Sequence, residues 1–461
     1  CLYRNTFKKR EKTDLQLQIG FFSFFKGISV QASNTTQQKG SECLLTALDE
    51  NGKVVSLVDE KVPSVLQGRS RFSRYYCPVC KELMIIKAGA IRIPHFAHRK
   101  NSACSSPLFE PESRRHLDGK RHLYQFFLKN RMKASLEYYL PSLKQRPDLF
   151  VRDNHSFAVE FQCSTVSPSA IQKRTEGYVS AGIAPIWIYG NLPERTGGNA
   201  FAMNDFLWAL TRRQSEAGSH LLCYDPAREI LFILYHITPS TPRKAFAHVR
   251  QFPLKSLKLP LFMNISDKPP FTAEQWQQAK QRWLERKVRF GNLTRDPFLK
   301  AVYEAGQNPF LLPHVCGVPV REMEDFSSHA TEWQFFIWAD CLLKLKAGQR
   351  LSLNYIHYRL RERVKSSELS MRILPGVPAI NRGKAVEAYM DFLAEEGYVK
   401  KTGKNMYIMH KLWMAPKNTE EAQRRESVFY KRLSIPVYPE ASAEKNTPCF
   451  FLWEQELLEE K

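Results

Sequence analysis

The sequence lacks the marks of several large protein classes. No uncharged apolar run reaches the length of a membrane span, and Ile230 to Tyr235 is only a candidate for a buried strand. Cysteine is sparse for a disulfide framework: there are 10 in 461 residues, scattered singly apart from Cys77 and Cys80. That usage fits a reducing compartment, so a cytoplasmic location with no membrane partner is expected. Acidic residues are also in deficit, 46 Asp and Glu against 68 Lys and Arg, for a formal charge of +22. A polyanion is the natural partner of such a chain, and nucleic acid fits best because each neutralised phosphate releases a counterion. Charge alone leaves open a generally basic protein with no such role.

Residues 1–43 read unlike the rest: basic at first, then Gly20-Phe21-Phe22-Ser23-Phe24-Phe25, then polar. A signal peptide cleaved after Val30-Gln31-Ala32 is one reading, but Lys26 breaks an already short apolar region. A disordered tail or spurious upstream extension is the expectation.

From Leu44 to Lys61, two β-rich runs flank Asn51-Gly52, the strongest short hairpin motif. Cys77-x-x-Cys80 follows, then a strand-like run Leu83 to Lys87, then His95-Phe96-Ala97-His98 and Cys104. Thiolates and imidazole at this spacing suit tetrahedral Zn²⁺. The expected ligands are Cys77, Cys80, His98 and one of His95 or Cys104. A redox role for the pair is the alternative, but no thioredoxin-like pattern surrounds it.

Glu112 to Lys133 follows Pro111 and shows apolar residues at helical spacing (Leu117, Leu123, Tyr124, Phe127, Leu128), with Arg and Lys on the other face. Glu137 to Leu140 then reads as a strand. In Arg146 to Gln162, two β-rich runs, Leu149 to Val151 and Phe157 to Phe161, surround the turn-forming Arg-Asp-Asn-His-Ser, a second hairpin. Glu160 and Gln162 lie two residues apart and share a face, and Asp148 can approach Glu160 across the hairpin. Converging carboxylates suit Mg²⁺, which demands oxygen ligands. The alternative reading makes Asp148 a turn carboxylate and Glu160 a strand-edge acid paired with Arg. Ser167-Pro168 opens a helix carrying Lys173, Arg174 and Tyr178, and Ala184 to Tyr189 is an apolar strand. The order is αβββαβ.

Pro147-Asp148 with Glu160-Phe161-Gln162 resembles the metal-binding core of the PD-(D/E)XK nucleases, Gln162 standing where a Lys is usual. Arg146-Pro147-Asp148, Ala158 to Ser164, Arg174 to Tyr178 and Ile186-Trp187-Ile188, with Leu44 to Leu48, the Cys77/Cys80 pair and His95 to His98, resemble the competence protein CoiA-like family. The resemblance implies a restriction-endonuclease-like core with a Mg²⁺ site at Asp148 and Glu160. Glu112 or His116 would assist the metal from the first helix, and Lys173 or Arg174 would supply the charge that Gln162 lacks. It implies work on single-stranded or branched DNA in transformation and homologous recombination, with recombinase and recombination mediators as partners. The function expected is a Mg²⁺-dependent endodeoxyribonuclease; the alternative is a catalytically weak DNA-binding accessory factor.

Further along, Leu221 to Ile237 reads as a hairpin, and Pro239 to Pro270 as a connector rich in Pro and Lys. Thr272 to Arg289 and Thr331 to Lys346 read as amphipathic helices whose aromatic stripes belong to a core. Helices at Leu353 to Val364 and Arg382 to Glu396, then a hairpin with a Lys-bearing tip from Gly397 to Ile408, resemble a winged helix. The fold class expected is α+β multidomain: a zinc module (44–110), the nuclease-like core (111–240), a connector with helices (241–325) and a mostly helical, winged-helix-like C-terminal part (326–461).

Overall fold

The computed structural model describes residues 44–58, 73–88, 94–99, 104, 113–153, 155–214, 217–266, 268–377, 383–432 and 449–450. It is a mixed α and β architecture with several separate sheets. The expectations for residues 1–43 and for Glu112 fall outside the described residues.

A small N-terminal sheet has the order β2-β1-β3-β4-β5, from β1 (Thr46–Leu48), β2 (Val54–Ser56), β3 (Tyr75–Tyr76), β4 (Leu83–Lys87) and β5 (His95–His98). Gly52 takes the positive φ, 75°, that the β1–β2 turn requires.

The central sheet is built on α1 (Arg114–Lys129), β6 (Lys133–Leu136), β7 (Leu149–Arg152), β8 (Ser156–Gln162), α2 (Pro168–Ser180) and β9 (Ala184–Tyr189). β6, β7 and β8 are antiparallel neighbours and β9 joins β8 in parallel, as the helical crossover through α2 dictates. Ser113 and Ser167 cap the two helices by accepting from His116 N and Ala170 N. Strand alternation sorts the two faces. Leu149, Val151, Phe157, Val159 and Phe161 pack with Leu117, Leu123 and Phe127 of α1. Phe150 and Ala158 pack with Tyr178 of α2 on the other side. Gly119 permits the close approach of α1: a Cβ there would lie 2.0 Å from the Phe161 ring.

The structure moves two elements from their expected places. The first strand of the core is Lys133–Leu136 rather than 137–140, because Glu137 adopts φ 50°, which ends the strand. The expected connector from Pro239 begins later. After the short strands β10 (Arg195–Gly197), β11 (Ala200–Ala202) and β12 (Arg212–Gln214), the hairpin of β13 (Gly218–Asp225) and β14 (Ile230–Thr241) continues into β15 (Lys244–Pro253). Pro239 is tolerated there because the β14–β15 register shifts on both sides of it. β13 pairs in parallel with β9, so these strands extend the central sheet.

The C-terminal part is mostly helical, with one large core that includes Trp276, Trp333, Phe335, Phe336, Tyr389 and Tyr430. Its helices include α4 (Ala273–Phe290), α6 (Ala330–Ile337), α7 (Leu353–Lys365) and α8 (Lys384–Glu395), where α3 is Asp205–Ala209 and α5 is Pro297–Glu304. A three-stranded sheet of Arg350–Ser352, Met406–Met409 and Val399–Gly403, in that spatial order, flanks α7 and α8. Among the described residues no helix is long and apolar enough to cross a membrane.

This core holds neutral histidines. His329 is buried, stacks on Trp283 at 3.8 Å, accepts from Thr331 N at Nδ1 and lies 3.1 Å from Ser240 O through Nε2, a pattern only the neutral ring satisfies. Burial lowers its pKa to about 3, and burial lowers that of His314 to about 4. Both values are depressed, so the unfolded chain binds more protons below its own pKa of about 6.5. The stability these rings contribute is full above that pH and declines as pH falls toward about 4. Thermal melts should therefore show a lower midpoint at pH 5 than at pH 7, and His329→Gln should reduce the difference; equal midpoints would contradict this.

Candidate metal and nucleic-acid sites

The register Leu149↔Val159 and Phe150↔Ala158, continued one step, sets Asp148 directly opposite Glu160. Their carboxylates are held from different sides. Asp148 Oδ2 accepts from Phe161 N at 2.8 Å and lies 3.2 Å from His116 Nε2, while Lys120 Nζ is 3.7 Å from Oδ1. His116 and Lys120 are one turn apart on α1, so both reach the same carboxylate. Burial would raise the Asp148 pKa, but the His116 imidazole and Lys120 ammonium outweigh it and hold the group below its ordinary range.

Glu160, 2% exposed, is held by α2, where Arg174 Nη2 and Tyr178 OH both donate to Oε1. Arg174 also donates to Arg146 O at 3.2 Å, which ties α2 to the approach to β7. Burial, reinforced by the Asp148 charge, pushes the Glu160 carboxyl up to about 7 against the opposing pull of Arg174. The two acids are thus electrostatically coupled, as like charges at neighbouring buried positions must be.

Gln162 lies on the same face of β8 as Glu160, and its amide nitrogen donates to Ser164 O at 3.0 Å. Lys173 is exposed on α2, whereas Arg174, its neighbour, turns inward to Glu160. The structure therefore brings together Asp148, His116, Glu160 and Arg174, and leaves Lys173 outside the group. Sequence reading missed Lys120 and Tyr178 as partners of these acids. Lys120 lies four residues after His116, the spacing that puts two side chains on one helix face, and Tyr178 stands in the same relation to Arg174.

A second cluster lies in the N-terminal sheet. Cys77, Cys80, His98 and Cys104 present one donor atom each, all within 4.8 Å of one another, and could hold a metal ion such as zinc. Cys80 Sγ is 3.2 Å from His98 Nε2, and Val79 N donates to Cys77 Sγ at 3.4 Å. Lys81 follows with φ 63°, completing the tight turn that faces both thiols one way. His95 is absent from the group: three positions before His98 on β5, it projects from the opposite face. Burial raises the Cys77 and Cys80 thiols and lowers the His98 imidazole. Such donors, poorly solvated as bare thiolates, fit a soft dication that replaces their protons.

Comparison with known proteins agrees with this layout. Residues 61–107 match the family described as competence protein CoiA, N-terminal domain; residues 112–267 its nuclease-like domain; residues 271–423 its C-terminal domain. The competence protein CoiA of Bacillus subtilis (strain 168) is 31% identical over 342 residues, covering 73% of this chain and 90% of that one. No solved structure matches. With all three of its domains matched in order and a relative this similar over most of both chains, the protein belongs to the competence protein CoiA family.

Proposed function

We propose that this protein is a Mg²⁺-dependent nuclease acting on single-stranded or branched DNA during transformation, alongside a recombinase. The observation that carries this reading is the pairing of Asp148 and Glu160 at opposed positions of β7 and β8, inside an αβββαβ core. Two hard carboxylates at that spot fit Mg²⁺, which when bound would polarise a phosphodiester and acidify a water. His116 and Phe161 N hold Asp148 oriented for that role. Arg174 supplies the positive charge that Gln162 cannot, while the Gln162 amide orients a water or a phosphate oxygen.

The occupation of Glu160 by Arg174 and Tyr178 favours a second reading, a DNA-binding accessory factor that keeps the nuclease architecture as a clamp. The two readings separate cleanly. With Mg²⁺, the nuclease reading expects wild type to cut at least one of single-stranded, duplex or branched DNA. Asp148→Ala and Glu160→Ala should each lower the rate at least 100-fold and leave DNA affinity in chelator unchanged. Failure of wild type to cut any of the three leaves the clamp reading in possession.

DNA contact is proposed to be electrostatic and weakly sequence-specific, from the outer face of α1, where Arg114 and Arg121 lie, and from the hairpin carrying Lys400 and Lys404. The order of the small C-terminal sheet supports the winged-helix reading. Yet the outer side of α8, which would enter a groove, bears Glu387, Asp391 and Glu395, and Asp391 takes Lys401 for itself. An acidic helix is repelled by phosphate, so we assign the hairpin and not α8 to DNA.

For the N-terminal cluster we propose one structural Zn²⁺ on Cys77, Cys80, His98 and Cys104. Elemental analysis of reduced protein should give one zinc per chain. Cys104→Ser should lose most of it and His95→Ala should keep it; the reverse pattern would place His95 among the ligands.

A further inference from the structure

A buried ion pair stands behind Asp148 that the proposed chemistry does not use. Lys120 is fully buried and Glu137 is 3% exposed, with Nζ to Oε1 at 2.5 Å. Glu137 takes the left-handed φ of 50°, uncommon for a residue with a side chain, so its surroundings must hold it there. Its carboxylate is fully engaged across the boundary with the N-terminal sheet: Leu45 N donates at 3.1 Å to each oxygen, and Thr46 N at 3.1 Å and Thr46 Oγ1 at 2.9 Å donate to Oε2. Burial opposes its ionisation, but Lys120, Arg146 and the Leu45 amide hold its pKa below the ordinary carboxylate range. On the other side, Glu137 N donates to Asp148 O at 2.9 Å, and the same Lys120 ammonium reaches Asp148 Oδ1.

We propose that Glu137 is a positioning residue through which the N-terminal sheet holds Asp148 in place, with Lys120 as the link between the two carboxylates. The inference rests on reading Asp148 as a metal-site acid for its cation readout only. Lys120 is wholly buried between the two acids, so it is placed to link them. The chain of contacts continues outward, because Leu44 and Phe96 exchange backbone hydrogen bonds at 2.8 and 2.7 Å, and Phe96 lies two residues from His98. The Cys/His cluster and the acid pair are thus joined by one strand and one buried ion pair. Removing the Glu137 charge leaves the buried Lys120 with Asp148 as its acid, and removing Lys120 leaves Glu137 on the neutral donors of Leu45 and Thr46, so either loss is destabilising locally.

The test is amide hydrogen exchange on the full chain, with Mg²⁺ titrated calorimetrically in parallel. The Phe161 amide reports Asp148, since it donates to that carboxylate; the Leu45 and Thr46 amides report the boundary. In Glu137→Gln all three should lose protection at least tenfold, and Mg²⁺ affinity should fall at least fivefold. Lys120→Met should expose Phe161 as well. Thr46→Val, which deletes one hydroxyl donor, keeps the test alive if the charge variants do not fold; it should lower Leu45 and Phe161 protection together. Loss of protection at Leu45 and Thr46 with Phe161 unchanged would overturn the proposal. Wild-type protein that takes no Mg²⁺ would sink the metal reading instead, and the exchange data would still decide the role of Glu137.

Discussion

The structure of the central core depends on the cost of burying two carboxylates at adjacent sheet positions. Asp148 and Glu160 repel one another, and each loses hydration, so each needs its own compensating groups. The fold supplies them from its two helical layers. α1 brings His116 and Lys120 to Asp148, and α2 brings Arg174 and Tyr178 to Glu160. Apolar packing on the two faces of the sheet sets both helices in reach of the acids, Gly119 lets α1 settle on β8, and the buried Lys120–Glu137 pair stands behind Asp148. Well-packed apolar residues in place of buried ion pairs are often neutral or stabilising, so stability alone does not call for these acids. Their retention in so expensive a setting is itself an argument for a site.

Much of this was legible in the sequence, for reasons that can be named. The β7–β8 hairpin is marked by its turn residues, and the side-chain period of two sets Glu160 and Gln162 on one face. Serine caps, a proline in the first turn of α2 and an apolar run at β9 punctuate the αβββαβ order. What stayed hidden depends on contacts between distant segments. Lys120 looks like one more base on a basic helix until α1 is laid on the sheet. Glu137 looks like a strand residue because its left-handed backbone is imposed by Leu45 and Thr46, some 90 positions earlier. Pro239 looks like a linker because proline is a poor strand former, and only the register shifts around it make β14 possible. The choice between His95 and Cys104 turned on His95 and His98 facing opposite ways, which follows only once His95 to His98 is known to be a strand.

The C-terminal part shows the same limit in its charge. The total of +22 suggests DNA-facing surfaces everywhere, yet the outer side of α8 is acidic and the basic residues concentrate elsewhere. Net charge describes how the chain is drawn toward a polyanion. Which face meets it is set by the fold.

The central claim is that Asp148, held by His116 and Phe161 N, and Glu160, freed from Arg174, share one divalent cation. The most direct measurement is anomalous diffraction from crystals soaked in Mn²⁺, a scatterer of Mg²⁺-like chemistry. The account predicts a single peak between the two carboxylates, with an oxygen of each at about 2.1 Å. Electron density showing Arg174 still on Glu160, and no anomalous peak beside Asp148 at saturating Mn²⁺, would contradict it.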